Sequence, residues 1–201
     1  MIRDFETGAL RSFNFDDLLD KIPELRLLDC DIATFSFTEP IDSSNMEPKY
    51  WSQICNVIEE RYDQFDGFVI LHGSDTMSYT ASALSFMLEN LKKPVIFTGS
   101  QLPIGDLRTD AKENLITAVQ IASLQQKKKS YIQEVCLYFE YKLYRGNRTT
   151  KLSAEHFEAF QSPNYPYLAK SGVHLTINDE LLLCLRRKEL VVHHSLVTDV
   201  L

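Results

Sequence analysis

Short apolar runs alternate along this chain with longer segments in which apolar residues recur at helical spacing. The runs predict strands that are buried on both faces or rich in β-branched residues; they occupy residues 32–37, 67–71, 94–97 and 135–139. The helical spacing predicts helices over residues 15–27, with Asn14 as N-cap, from Pro48 through Tyr62, and over 77–91 and 110–124. Strands that alternate with helices are typical of βαβ units. We therefore expect an α/β fold with a doubly wound, mainly parallel sheet and helices on both faces.

Polar turns follow three of these predicted strands, at residues 42–45, 72–76 and 98–101. In an open α/β sheet, ligands bind in the crevice outside the carboxyl ends of the strands. We expect the three turns to converge on one such crevice.

The C-terminal part departs from this alternation. Residues 181–185, 190–194 and 196–201 predict short strands with no helix between them. We interpret residues 1–175 as an α/β domain, incomplete at its start, and residues 176–201 as a linker and the beginning of a truncated second domain.

The composition argues against nucleic acid and membranes as partners and indicates a cellular compartment. The formal net charge of −7 argues against a general nucleic-acid surface, and no uncharged apolar run approaches the length of a membrane span. The four cysteines, Cys30, Cys55, Cys136 and Cys184, are widely spaced and form no C-x-x-C pair. We expect buried free thiols in a reducing compartment, and therefore a cytoplasmic protein.

Ser74 and Asp75 are the first candidates for chemistry, because they place a hydroxyl and a carboxylate between a buried strand and a helix start. Backbone N–H groups in such a turn can bind an anionic group of a substrate. The alternative carries equal weight from the pattern alone: Ser74, Asp75 or Thr76 caps the following helix.

Two other segments carry chemically suitable side chains. Lys151 could act as the base for a hydroxyl if desolvation lowers a lysine's pKa, although a basic segment of this kind is more often an exposed loop. Asp42, Ser43 and Ser44 could hold the charged groups of an amino acid. Without other information, a turn that caps the helix near Pro48 is the preferred interpretation of these three.

The sequence predicts neither a metal nor a cofactor. The five histidines lack the H-E-x-x-H and H-x-x-x-H spacings of metal ligands. Gly73 and Gly99 form neither a G-x-G-x-x-G nor a P-loop pattern, so nucleotide binding has no positive support.

Four segments together resemble the asparaginase/glutaminase family, specifically its cytoplasmic type I branch. They are IDSSNM (41–46), GFVILHGSDTMSYTASALSFMLENLKKPVIFTGSQLP (67–103), LRTD (107–110) and LYRGNRTTK (143–151). The similarity extends over nearly the whole chain to about Lys170. It implies a flavodoxin-like α/β domain, a small-molecule substrate, no cofactor or metal, and a homo-oligomer.

The resemblance also implies an activity, hydrolysis of the side-chain amide of asparagine to aspartate and ammonia. Ser74 stands where the family usually has a threonine, and with Asp75 and Lys151 it would assist catalysis. Asp42, Ser43 and Ser44 match the turn that holds the substrate's α-amino and α-carboxylate groups. Serine for threonine keeps the hydroxyl and removes a methyl group, so we expect the role to survive with a looser side-chain orientation.

Two departures from the family affect the expected activity. The family's threonine nucleophile lies in a turn of the TGGTIGM type, whose final methionine Met1 matches, so we expect that turn to lie upstream of this chain. The smaller C-terminal domain is also expected to be missing. We therefore predict that the 201-residue chain binds asparagine weakly or not at all and does not turn it over. We also expect exposed apolar surface to make the chain self-associate or to leave it marginally stable.

Three alternatives remain open at this point. The first is an amidotransferase subunit of the same family, which normally carries an extra preceding domain. The second is a non-catalytic asparaginase-like module that binds or senses an amino acid. The third is a generic flavodoxin-like nucleotide binder, which would require a phosphate loop. The preference for asparagine over glutamine depends on pocket shape and is not predicted.

Overall fold

The computed structural model describes residues 2–3, 10–11, 21–38, 40–183 and 188–197. Among these residues, three α-helices and a set of mostly short strands are described in full. In chain order they are β1 (Ile2–Arg3), β2 (Leu10–Arg11), α1 (Pro48–Arg61), β3 (Phe68–Leu71), α2 (Met77–Met87), β4 (Leu88–Glu89), β5 (Val95–Thr98), α3 (Ala111–Ser123), β6 (Gln125–Gln126), β7 (Lys129–Ser130), β8 (Val135–Phe139), β9 (Lys142–Arg145), β10 (Thr150–Lys151), β11 (Phe160–Gln161), β12 (Ala169–Lys170), β13 (Thr176–Ile177) and β14 (Val191–Val192).

The main sheet has six strands in the order β13-β12-β9-β8-β5-β3. Strands β3, β5 and β8 are parallel and form its core, whereas β9, β12 and β13 extend it by antiparallel pairing. A two-residue turn joins β8 to β9, and both of its residues, Glu140 and Tyr141, have positive φ (45° and 67°). This turn geometry matches the twist of a hairpin. The α/β class with a mostly parallel core is confirmed; the antiparallel extension was not predicted.

Helices cover both faces of the parallel core. Val95 and Phe97 of β5 point to the face that is packed by α1 and α2, and Ile96 points to the opposite face, against α3. Side chains alternate along a strand, so a continuous apolar run supplies both faces at once. The predicted helices on both faces are therefore confirmed.

The elements around the site agree with the sequence prediction within a few residues. Helix α1 begins at Pro48, whose fixed φ suits the first helical position. Helix α2 ends at Met87, earlier than the predicted 91, because the chain turns into β4 there and pairs with β14.

Several predicted elements are wrong or lie outside the described residues. Residues 32–37 form no strand, because β propensity alone does not provide a pairing partner. Of the predicted helix 15–27 and its Asn14 cap, residues 14–20 lie outside the described part; within the rest, Pro23–Leu27 is a 3-10 helix. Consequently the turn at 42–45 does not follow a strand.

The C-terminal predictions are confirmed only in part. Leu181 ends a short 3-10 helix, and Leu182 and Leu183 are irregular, so no strand forms over the described part of 181–185. Strand β14 lies within the predicted 190–194. Residues 184–187 and 198–201 are outside the described part, and the domain boundary at 175 stays a prediction.

Three of the cysteines are described. Cys55 and Cys136 are buried, Cys30 is partly buried, and all three are free thiols; Cys184 lies outside the described residues. No helix in the described part of the chain is both long enough and apolar enough to cross a membrane.

Candidate functional site

The loops after β3 and β5 lie side by side at the carboxyl edge of the parallel core. The His72 N–H donates to the carbonyl of Thr98, which continues the β3–β5 pairing by one residue. A Cβ at Gly99 would overlap the His72 carbonyl oxygen, and a Cβ at Gly73 would overlap the Ser43 side chain. Glycine is therefore required at both positions for the loops to approach this closely.

The side chains of Ser74, Asp75 and Lys151 contact one another at this carboxyl edge of the sheet. Lys151 Nζ donates to Ser74 Oγ at 2.8 Å and to Asp75 Oδ1 at 2.8 Å. The lysine side chain is 15% exposed, and that of Asp75 is 61% exposed. The cluster therefore combines a partly buried ammonium with a carboxylate that faces solvent.

The alternative role of these side chains, capping α2, is not what the structure shows. The N-cap residue of α2 is Thr76, and its side chain makes no capping hydrogen bond. Thr76 Oγ1 instead donates to the carbonyl of Ser43 at 2.7 Å. Ser74 and Asp75 are likewise engaged with Lys151, so the three polar side chains link loops rather than cap a helix.

Lys151 reaches Ser74 because its segment crosses over α2. Strand β10 pairs with β11, which places Lys151 opposite Phe160. Before it, a 3-10 turn at Gly146–Arg148 packs on α2, and a Cβ at Gly146 would lie 3.0 Å from Ser85 Oγ. The sequence spacing of 76 to 77 residues between these partners contained no sign of this approach.

The turn of Asp42, Ser43 and Ser44 lies against the Ser74 loop through the contacts of Ser43. The Asp42 carboxylate accepts hydrogen bonds from the Ser44 N–H at 2.9 Å and the Ser44 hydroxyl at 2.8 Å. These two hydrogen bonds lower the pKa of Asp42 and keep its carboxylate ionised. Asp42 caps its own 3-10 turn, Ser43–Asn45. Helix α1 has Glu47 as N-cap without a side-chain hydrogen bond, so the turn does not cap α1.

Two residues that the sequence did not single out, Gln101 and Asp110, organise the site. Ser74 Oγ donates to Gln101 Oε1 at 2.9 Å. The buried Asp110 carboxylate accepts from the backbone N–H groups of Gln101 and Leu102 and from Asn114 Nδ2. The available signal was weak. Gln101 lay in a polar turn that was already expected at the crevice, and Asp110 stood at the start of a predicted helix and in a segment that carries the resemblance.

A buried hydrogen-bonded chain supports the Ser74 loop from below. Trp51 Nε1 donates to Thr80 Oγ1 at 3.1 Å, and Thr80 Oγ1 lies 2.9 Å from His72 Nε2. Since His72 Nδ1 lies 2.7 Å from the Gly73 carbonyl, which can only accept, Nδ1 carries the proton and Nε2 accepts from Thr80. Burial lowers the pKa of His72, against the opposing effect of its hydrogen bond to Gly73, and this favours the neutral ring.

The described residues contain no group of three or more His, Cys, Asp and Glu side chains placed to hold a metal ion. This edge of the sheet contains the Ser74 hydroxyl, which lies between Lys151 Nζ and the side-chain oxygen of Gln101. The carboxylates of Asp75 and Asp42 lie nearby. Such groups suit a zwitterionic small molecule and proton transfer at a carbonyl.

Comparison with known proteins gives a consistent picture. The model of a protein family described as asparaginase, N-terminal, matches residues 1–183. L-asparaginase 1 of Escherichia coli (strain K12) is 53% identical over 145 residues, which cover 72% of this chain and 41% of that protein. A Mus musculus protein named 60 kDa lysophospholipase is 51% identical over 204 residues, which cover 100% of this chain and 35% of that protein.

The structural comparison agrees with these matches. The crystal structure of L-asparaginase I from Vibrio cholerae matches with a TM-score of 0.81 at 42% identity, covering 92% of this chain and 55% of that one. The chain thus spans about half, or less, of the length of these relatives.

Proposed function

Because this chain belongs to the asparaginase family, we propose that its site serves the hydrolysis of the side-chain amide of L-asparagine to L-aspartate and ammonia. The observation that carries the proposal is the contact of Lys151 Nζ with both Ser74 Oγ and Asp75 Oδ1. Amide hydrolysis needs groups that move protons beside the carbonyl and the leaving nitrogen. A hydroxyl in contact with a partly buried lysine can relay a proton in this way.

The substrate would be held by its charged amino-acid end. Asp75 has one oxygen on Lys151 and a largely exposed side chain, and it is therefore available to pair with an α-ammonium group. The ionised Asp42 and the hydroxyls of Ser43 and Ser44 form the adjacent turn, where we assign the hold on the α-amino and α-carboxylate groups. Hydrogen bonds to charged groups are each worth about 1.5–3 kcal/mol, enough to orient a small molecule.

We expect the 201-residue chain to bind L-aspartate or L-asparagine at most weakly and not to turn over L-asparagine. The resemblance assigns the nucleophile to a threonine in a TGGTIGM turn, and no such turn occurs in the sequence. Ser74, Asp75 and Lys151 would then act on a nucleophile supplied by another segment.

Two other functions compete with this proposal. A non-catalytic module would bind the amino acid and use the same turn. The second is hydrolysis of the ester bond of a lysophospholipid, which the name of the mouse relative suggests. A hydroxyl beside a lysine can serve acyl transfer to water from esters as well as from amides.

The proposal includes a cytoplasmic location and a homo-oligomeric state. The free thiols of Cys30, Cys55 and Cys136 support a reducing compartment. The half-exposed apolar strand β3 at the outer position of the sheet supports association.

Calorimetry with L-aspartate and L-asparagine tests the substrate hold. We expect weak binding by the parent chain and a loss of affinity of about tenfold or more in Asp42→Asn, because a carboxylate contact to a charged group is removed. Asp63→Asn is the matched control, since Asp63 is exposed and precedes β3 at the opposite end of that strand. Equal affinity of the two variants, or no binding by the parent, would overturn the assignment of the turn.

Ammonia release separates the enzyme from the module. The assay compares this chain with a version that carries a TGGTIGM turn upstream of residue 1, and it offers L-asparagine and, separately, lysophosphatidylcholine. Release of ammonia only by the extended version supports the proposal, and its loss in Lys151→Met links it to the cluster. Binding without turnover in both versions supports the module, and release of fatty acid alone supports the esterase.

A further inference from the structure

The hairpin of β12 and β13 forms the outer end of the main sheet and carries a cavity of about 400 Å³. The lining of this cavity includes Tyr167, Lys170, His174, Thr176 and Asn178. A cavity of this volume suits a small organic molecule. The strand order places β12 four strand spacings from β3, or about 19 Å at the usual spacing. The cavity is therefore separate from the loop that follows β3.

Strand pairing determines which side chains face the cavity. Ala169 and Ile177 are paired, and both contact the apolar cluster beside α3. The next pair along the two strands, Lys170 and Thr176, therefore points to the other face of the sheet. The hairpin thus buries one face against α3 and presents an ammonium and a hydroxyl on the other.

The polar side chains that line the cavity are available for a ligand. Within the described part of the chain, the side chains of Tyr167, Lys170, His174, Thr176 and Asn178 have no hydrogen-bond or ion-pair partner. None of the described residues that line the cavity is an aspartate or a glutamate. Hydroxyl and amide donors beside an ammonium group suit an oxyanion, because hydrogen bonds between charged groups are the strong ones.

A second lysine adds to the positive charge of this face. Lys142 of β9 lies directly opposite Lys170 of β12 in the antiparallel register, so both side chains point the same way. Like charges in directly opposed positions destabilise a sheet. Lys142 Nζ has a long contact of 3.9 Å with Oε1 of the exposed Glu158, and Lys170 has no carboxylate partner among the described residues. A bound anion would offset the repulsion between the two lysines.

We propose that this cavity binds a small organic anion. Its phosphate or carboxylate group contacts Lys170 and Thr176, and its organic part lies against Tyr167. The two anionic groups share the chemistry that matters here, since the oxygens of either accept hydrogen bonds from ammonium and hydroxyl donors. The proposal is independent of the proposed amide hydrolysis, because none of the lining residues belongs to the Lys151 cluster.

Calorimetry in a low-salt buffer without phosphate tests the site with three aromatic probes. Phenyl phosphate and phenylacetate carry the two anionic groups, and benzyl alcohol is the neutral control. We expect at least one anion to bind and benzyl alcohol not to bind. Tighter binding of phenyl phosphate assigns the phosphate class, and tighter binding of phenylacetate assigns the carboxylate class. Binding of neither anion, or equal binding of benzyl alcohol, would overturn the proposal.

Lys170→Met locates the bound anion. We expect it to weaken binding by about tenfold or more, because a hydrogen bond to a charged group is lost. Lys129→Met is the matched control, since Lys129 is an exposed lysine of the separate β6–β7 hairpin and its loss changes the net charge equally. Equal weakening in the two variants would indicate a general charge effect and would overturn the site.

Two further variants keep the test decisive if Lys170→Met fails to fold. Thr176→Val removes the hydroxyl that lies opposite Lys170, and we expect binding to weaken by about tenfold. Lys142→Met removes the neighbouring charge, and we expect a smaller loss of about threefold, because this ammonium acts through solvent. Unchanged affinity in both variants would place the anion elsewhere and would overturn the proposal.

Discussion

Strand β8 lies between β5 and β9, and all five of its residues are buried. Strand β3 lies at the outer position of the six-stranded sheet; its first three residues are half-buried, and Leu71 is 37% exposed. Both strands are short, continuously apolar runs in the sequence. Two strands of similar composition can therefore differ in how deeply they are buried. The difference arises from the number of strands that pair with each of them.

Residues 67–71 are packed on both faces, as predicted, but they are covered less completely than β8. Helix α3 and the α1–α2 layer do pack against β3, since Phe68 and Ile70 contact one cluster and Val69 the other. The covering is incomplete because, within the described residues, β3 pairs with β5 on one side only. An apolar edge of this kind is a template for pairing with another strand.

The largest expected effect is on stability. Leu137→Ala in β8 should lower the free energy of unfolding by about 3 kcal/mol, because it opens a cavity in a closed core. Ile70→Ala in β3 should cost about 1 kcal/mol, because the half-buried side chain loses less transfer free energy and water fills part of the space. Urea unfolding monitored by circular dichroism measures both. Equal losses would show that β3 is as fully covered in solution as β8.

A smaller effect is expected on association. If the open edge of β3 pairs between copies of the chain, Leu71→Lys should weaken self-association by about tenfold, or roughly 1.4 kcal/mol. Leu107→Lys is the matched control, because Leu107 is fully exposed in a loop outside the strands. Sedimentation velocity over a range of concentrations gives the dissociation constants. A monomeric parent chain, or the same weakening in the control, would rule out the edge.

The smallest effect is a dependence of stability on pH. It involves His72, which directly follows β3 and is buried. Burial lowers the pKa of His72 below its ordinary 6.5, so the unfolded chain takes up a proton at a pH where the folded chain does not. Stability should therefore fall as the pH drops below about 6.5, down to the pKa of the folded state. His72→Gln should reduce this slope between pH 7 and 5, whereas His174→Gln, at an exposed loop position, should leave it intact. Urea midpoints across this range decide the matter, and identical slopes in all three chains would contradict the buried neutral ring.

The site, like the two strands, has features that follow from local sequence and features that depend on contacts between distant segments. The Asp42 turn and the Ser74 loop were identifiable because polar residues interrupt apolar runs at those points. The rule that the carboxyl ends of parallel strands share an edge accounts for the Ser74 loop and the loop after β5. It does not account for the Asp42 turn, because residues 32–37 form no strand. The roles of Lys151 and Gln101 were different: the first comes from an antiparallel hairpin that crosses α2, and the second was one polar residue among several in its turn.

The sequence by itself determined the α/β alternation, the bounds of α1, β5, α3 and β8 to within a residue or two, and the family. These properties depend on side-chain period and on short motifs, which are local. Only the tertiary structure decided that β3 pairs on one side only within the described residues, that residues 32–37 form no strand, and that Lys151 contacts Ser74. Strand pairing and loop contacts join residues far apart in the chain, and periodicity carries no information about which distant segment will supply the missing hydrogen-bond partner.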